Sequence, residues 1–75
     1  MDGLYFTYRS SDIGPIPKVT HLMVDGYFDR EIDIPDTVTH LIFGYHYNQP
    51  TNNLPQNITH LTFGREYNQP AWRAL

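Results

Sequence analysis

The chain has no cysteine. Disulfides, thiol redox chemistry and cysteine-based zinc sites are therefore excluded, and packing and hydrogen bonding must hold the fold. Positive charge is scarce: five Lys and Arg stand against eight Asp and Glu, a formal net charge of −3. The basic residues Arg9, Lys18, Arg30, Arg65 and Arg73 are scattered singly, which leaves no basic stripe for a nucleic-acid backbone. No nucleic-acid partner is expected. Long apolar runs are missing too. No stretch approaches the ~18 residues of a spanning helix, and Met1-Asp2-Gly3 lacks the basic and apolar regions of a signal peptide. No membrane partner is expected, and the chain reads as intracellular, cytoplasmic in its host or source cell.

Size and hydrophobicity are modest as well. The 75 residues leave room for one small domain, and only 40% are hydrophobic. A compact core in so short a chain buries roughly 60% of the unfolded surface, which makes stability marginal. Aromatics, by contrast, are plentiful: six Tyr and four Phe accompany the single Trp, and six Pro outnumber five Gly. That composition favours strands punctuated by rigid turns over helices.

An internal repeat organises the chain. Val19-Thr20-His21-Leu22 returns as Val38-Thr39-His40-Leu41 and as Ile58-Thr59-His60-Leu61. The second and third copies continue in register, through Phe43-Gly44 and Tyr47-Asn48-Gln49-Pro50, then Phe63-Gly64 and Tyr67-Asn68-Gln69-Pro70. In the first copy Val24 takes the Phe place, Asp25 the Gly place, Phe28 the Tyr place and Asp29 the Asn place. A disguised N-terminal copy is extracted by matching Leu4 with Leu22 and Phe6 with Val24, which sets Ser11 against Asp29. Residues 1–16 then form a degenerate first coil, and 17–34, 35–54 and 55–75 form three clearer ones within a single repeat domain.

A period near 20 residues means one solenoid coil per unit, stacked so that equivalent residues lie above one another. Alternation with period 2 around Thr59-His60-Leu61-Thr62-Phe63 assigns the faces. Leu4, Leu22, Leu41 and Leu61 form one inward ladder, and Phe6, Val24, Phe43 and Phe63 a second. Phe28, Tyr47 and Tyr67 form a third after the turn. Asp29, Asn48 and Asn68 form a polar ladder that hydrogen-bonds backbone at the bend. Gly44 and Gly64 sit where a tight bend or positive φ favours glycine, and the prolines mark extended return segments. The resulting sheet is parallel and lies on one side only.

The unit from Leu54-Pro55 through Thr59-His60-Leu61 and Phe63-Gly64 to Asn68-Gln69-Pro70 resembles the FNIP repeat, a family similar to the leucine-rich repeat, whose Ile58-x-x-Leu61-x-Phe63 spacing it shares. The resemblance covers residues 17–70 directly and 4–16 by inference. It implies a mostly β fold, a short right-handed leucine-rich-repeat-like solenoid of about four coils with a parallel sheet on one side. Such proteins are reported mainly from social amoebae and from giant viruses that infect amoebae, sometimes behind an F-box. The implied role is protein interaction, with substrate recognition for ubiquitin ligases where an F-box is present. No F-box is expected in residues 1–16, which read as repeat rather than helix.

The outward strand row carries the functional expectation. Tyr5, His21, Met23, His40, Ile42, His60 and Thr62 form a regularly spaced surface suited to a protein partner. Taken singly, each His reads as a strand residue making cross-strand contacts. A metal is not expected: two imidazoles ~4.8 Å apart need a third ligand, and the row supplies only Met, Ile and Thr. No cofactor is expected. Catalysis lacks a motif around Ser10, Ser11 or the His residues, and the carboxylates fall on turns, so the chain reads as a non-enzyme. The Asn57-Ile58-Thr59 sequon is accidental, because Ile58 belongs to the core. Trp72 and Leu75 are expected to lie over the last coil; without such a lid, the bare strand edge invites self-association through the solenoid ends. The alternative is a fragment of a longer array, such as a ligase adaptor, with little function of its own.

Overall fold

The computed structural model describes residues 3–51 and 54–69. The lid expected from Trp72 and Leu75 lies outside them, as does Pro70. Four short strands, β1 (Tyr5–Tyr8), β2 (His21–Val24), β3 (His40–Ile42) and β4 (His60–Thr62), form one sheet in chain order. Every neighbouring pair is parallel, and no helix occurs among the described residues. The mostly β, solenoid-like architecture expected from the repeat is what forms.

The strands are short because only three or four residues per unit alternate. In β2, Leu22 and Val24 are buried while Met23 is exposed. Each strand then runs into a turn closed by an i+3 amide: Phe28 N to Asp25 O, Tyr47 N to Gly44 O and Tyr67 N to Gly64 O. The turn throws an aromatic ring back over the core. Phe43 stacks on Tyr47 at 4.1 Å between centroids and Phe63 on Tyr67 at 3.9 Å, while Phe28, Tyr47 and Tyr67 stack from coil to coil at 6.1 and 6.5 Å. Val38 and Leu41, both 0% exposed, mark the centre of the column. Burial also pushes the Tyr47 phenol up to about 12, with the Tyr67, Asp29 and Glu31 charges adding to it.

The polar ladder runs beside the rings. Asn48 N donates to Asp29 Oδ1 at 2.9 Å, and Asn68 N to Asn48 Oδ1 at 2.8 Å. Gln49 and Gln69 donate to the same acceptors from their side chains. The Asn48 amide, and after it the Gln49 side chain, hold the Asp29 carboxyl below its ordinary value.

Two expectations need correction. The first concerns the N-terminal register. Tyr5 pairs with His21, Phe6 with Leu22 and Tyr8 with Val24, so Leu4 does not stand over Leu22, nor Phe6 over Val24. Leu4 is 52% exposed. A slip of two residues keeps every side chain on its own face, so alternation alone does not distinguish the two registers. Aromatic packing decides between them. The residue aligned with Phe28 in the first coil is Asp12, which has no ring to contribute, and Tyr8 fills the gap, edge-on to Phe28 at 5.3 Å with its hydroxyl donating to Gly14 O. Ser11 accordingly does not match Asp29. The second correction concerns glycine. Positive φ occurs at Gly3 and Gly14, not at Gly44 or Gly64. A Cβ at Gly44 would overlap the Asp25 carbonyl, and one at Gly64 the Gly44 carbonyl. These glycines let adjacent coils approach, rather than allowing an unusual bend.

Candidate interaction face

The outward strand positions form two parallel columns. Register places Tyr5, His21, His40 and His60 in one, and Thr7, Met23, Ile42 and Thr62 in the other. The first column is a continuous ring stack. Tyr5 lies 4.2 Å from His21, His21 4.2 Å from His40, and His40 4.1 Å from His60, with interplanar angles falling from 29° to 17° to 8°. The second column is aliphatic at its centre, where Met23 and Ile42 remain 47% and 42% exposed. Together they line a groove of about 290 Å³.

Each imidazole is held by the residue before it. Thr20 Oγ1, Thr39 Oγ1 and Thr59 Oγ1 lie 2.8 Å from Nδ1 of His21, His40 and His60. The threonine sits just before its strand, where the carbonyl of the preceding coil accepts two successive amides. Thr39 N and His40 N both donate to Thr20 O, and Thr59 N and His60 N both donate to Thr39 O. This recurring distortion brings threonine and histidine side chains together although they are neighbours in sequence. Sequence reading identified the histidines but not this clamp; the invariant Thr-His order was the available signal.

The face is electrically quiet. No Asp, Glu, Lys or Arg occupies an outward position in β1 to β4. Burial, followed by the His60 and His21 charges on either side, holds His40 below its ordinary 6.5. The stacking also bears on metal chemistry: near-parallel rings direct their nitrogen lone pairs side by side rather than toward one point. Among the described residues, no three His, Asp or Glu side chains gather to hold a metal ion.

Two features lie off this face. His46 and Glu66, equivalent turn residues of successive coils, meet at 2.7 Å in an exposed pair that sequence reading missed, and Tyr27 stacks on the same imidazole at 5.7 Å. A larger cleft of about 480 Å³ opens between the first two coils, where Lys18, Glu31, Asp33 and Asp36 line its rim with Ile16 and Tyr8 at its base. Lys18 and Asp36 pair there at 3.9 Å with both side chains largely in solvent. Neither feature repeats through the solenoid, whereas the two columns span all four strands.

No helix among the described residues is long and apolar enough to cross a membrane. The profile of the family described as FNIP Repeat matches residues 28–53 and again residues 47–71, together more than half of the chain. No curated protein and no solved structure matches it. Residues 28–71 thus carry the family's repeat twice in tandem, in the coils whose ladders are most regular, and the chain belongs to the FNIP repeat family.

Proposed function

We propose that this chain is a non-catalytic module for protein–protein interaction that binds through its strand face. The observation that carries the reading is the pair of ordered columns, one of stacked rings and one of exposed aliphatic side chains, lining an uncharged groove. Rigid aromatic and methionine-containing surfaces supply contact area with little ordering cost, which is the composition favoured at the centres of interfaces. A non-catalytic role is supported by the chemistry of the face. Its histidines are stacked on one another and clamped by threonine, and among the described residues no carboxylate hydrogen-bonds to them to orient or receive a proton.

Affinity capture from the source cell tests this reading, comparing the wild-type chain with a Met23→Lys/Ile42→Lys variant. Both residues are exposed, so the variant should keep the wild-type circular dichroism spectrum. The expected result is a partner retained by the wild type and by a Lys18→Ala control but lost by the face variant. Equal retention by all three would overturn the strand face as the binding surface.

A further inference from the structure

The threonine clamp determines what the histidine column offers a partner. Thr39 Oγ1 lies 3.3 Å from the Thr20 carbonyl oxygen but 2.8 Å from His40 Nδ1. The pattern recurs for Thr59, at 3.3 and 2.8 Å, and for Thr20, at 3.2 and 2.8 Å. Hydroxyl hydrogen bonds fall at about 2.5–3.0 Å, and each of those carbonyls already accepts two backbone amides. The single hydroxyl proton therefore goes to Nδ1. A neutral imidazole whose Nδ1 accepts must carry its own proton on Nε2. No Nε2 has a hydrogen-bond partner among the described residues, and none is buried unsatisfied, so these atoms reach the surface. Stacking repeats the donor from ring to ring at 4.1–4.2 Å.

A row of parallel N–H donors calls for an acceptor, and an anionic acceptor makes the stronger bond. The chain carries a net charge of −3, yet among the described residues no carboxylate occupies an outward position of the four strands. An approaching carboxylate therefore meets donors here without meeting like charge. The second column adds a spacing rule. The two columns come from residues two apart on each strand, a separation of about 6.6–6.8 Å, which is also the distance between same-side residues of an extended peptide.

We infer that the strand face receives an extended segment of a partner protein in which an Asp or Glu carboxylate rests on the His21–His40–His60 column and an aliphatic side chain two residues away fills the groove beside Met23 and Ile42. This deepens the interaction reading and rests on it. The threonines are positioning residues, acting through the imidazoles they orient. A carboxylate bound here favours the charged imidazole, so proton uptake accompanies binding. The groups facing His40 are His21 from β2 and His60 from β4, with Tyr5 of β1 beyond His21. Charge on His60 or His21 opposes a proton on His40, so uptake requires the bound carboxylate to outweigh that repulsion.

The test uses the full chain labelled with 15N and three capped tripeptides: acetyl-Glu-Thr-Leu-amide, its Gln-Thr-Leu counterpart and its Glu-Thr-Ser counterpart. Long-range 1H–15N spectra should report an unprotonated Nδ1 and a protonated Nε2 at all three histidines. The Glu-Thr-Leu peptide should shift the histidine and Met23 signals and bind about tenfold more tightly than either counterpart. Its lead over Gln-Thr-Leu should widen between pH 8.0 and 6.5. Thr39→Val, which keeps the side-chain shape, should weaken both the His40 tautomer preference and the preference for Glu. Equal binding of the Glu and Gln peptides, an Nδ1–H tautomer, or no response at the face would overturn the inference. Face-dependent capture of a partner alongside any of these results would leave the interaction reading standing, so the two failures are distinguishable.

Discussion

Beyond the strands, whose two-amide carbonyls and outward ring stack run through all four coils, the coils from β2 onward are tied together by side chains that recur at the repeat spacing, whereas the turn of the first coil is tied to the second by contacts that occur once. The steps between paired histidines are nineteen and twenty residues, but Tyr5 reaches its partner His21 in sixteen. In the later coils the Asp29, Asn48 and Asn68 ladder and the close approach at Gly44 and Gly64 repeat. In the first coil none of these is available. Instead, Asp25 stands in the Gly place and sends its carboxylate to Ser10 N, and Arg30 reaches the Ser10 and Asp12 carbonyls while lying over the Phe28 ring. The Ser10 amide is the main cause holding the Asp25 carboxyl below its usual value. A degenerate coil thus keeps its place by individual polar bridges, and a regular one by identical residues stacked in register.

Substitutions at the ladder leucine Leu41 and at Leu4, which lies outside the ladder, give the widest separation between these regions. Leu41→Ala empties a site that is 0% exposed and should cost about 2–5 kcal/mol. Leu4→Ala, at 52% exposure, should stay within about 0.5 kcal/mol of wild type. Urea unfolding followed by circular dichroism measures both, and a large loss at Leu4 would restore the register in which it stands over Leu22. Glycine provides the next contrast. Gly44→Ala forces a methyl group into the Asp25 carbonyl and should cost about 1–3 kcal/mol. Gly26→Ala has open space around its Cβ and no positive φ, so it should be neutral or stabilising by up to about 1 kcal/mol.

These two contrasts coincide with the boundary of what was legible from sequence. The repeat, the parallel sheet and the inward ladders of the later coils follow from Thr-His-Leu, Phe-Gly and Asn-Gln-Pro recurring in order, because stacking demands the same residue at the same height. The N-terminal register was not legible, since it turns on a two-residue slip that preserves alternation and on Tyr8 supplying a ring from a strand position. The outward histidines could be located by the same alternation. Their ring-to-ring stacking and the threonine clamp depend on how the preceding carbonyl shares two amides, a feature of backbone geometry that no residue type announces. The His46–Glu66 pair was missed for a simpler reason: the two equivalent turn positions carry different residues.

Polar bridges of the two kinds should differ less. Asn48→Ala removes the acceptor for both Asn68 N and the Gln69 side chain and should cost about 1–2 kcal/mol. Arg30→Ala removes two exposed carbonyl contacts and the contact over Phe28, and about 0.5–1 kcal/mol is expected. Hydrogen exchange localises each effect. Loss of protection should be confined to the first coil for Arg30→Ala and to the last for Asn48→Ala; global loss in both would mean that the coils open as one unit.

The smallest expected effect is the acid response of the histidine column, which spans both regions. His40 is held below 6.5 by burial and by the charges of His60 and His21, so between that value and its lower folded one the unfolded chain binds more protons than the folded chain. Stability from this group is therefore fully present above about pH 6.5 and declines as pH falls toward the folded value. Asp25 and Asp29 act at more acidic pH. Their carboxyls are held below 3.8, and the stability they confer is lost only as pH falls beneath that value. A melting curve taken from pH 8 to pH 5 should thus isolate the imidazoles. His40→Phe keeps a ring in the stack but cannot take up a proton, so its melting temperature should fall less steeply over that range than that of the wild type. Equal slopes would mean that the central imidazole keeps its ordinary proton affinity when stacked, and that the column carries no acid sensitivity of its own.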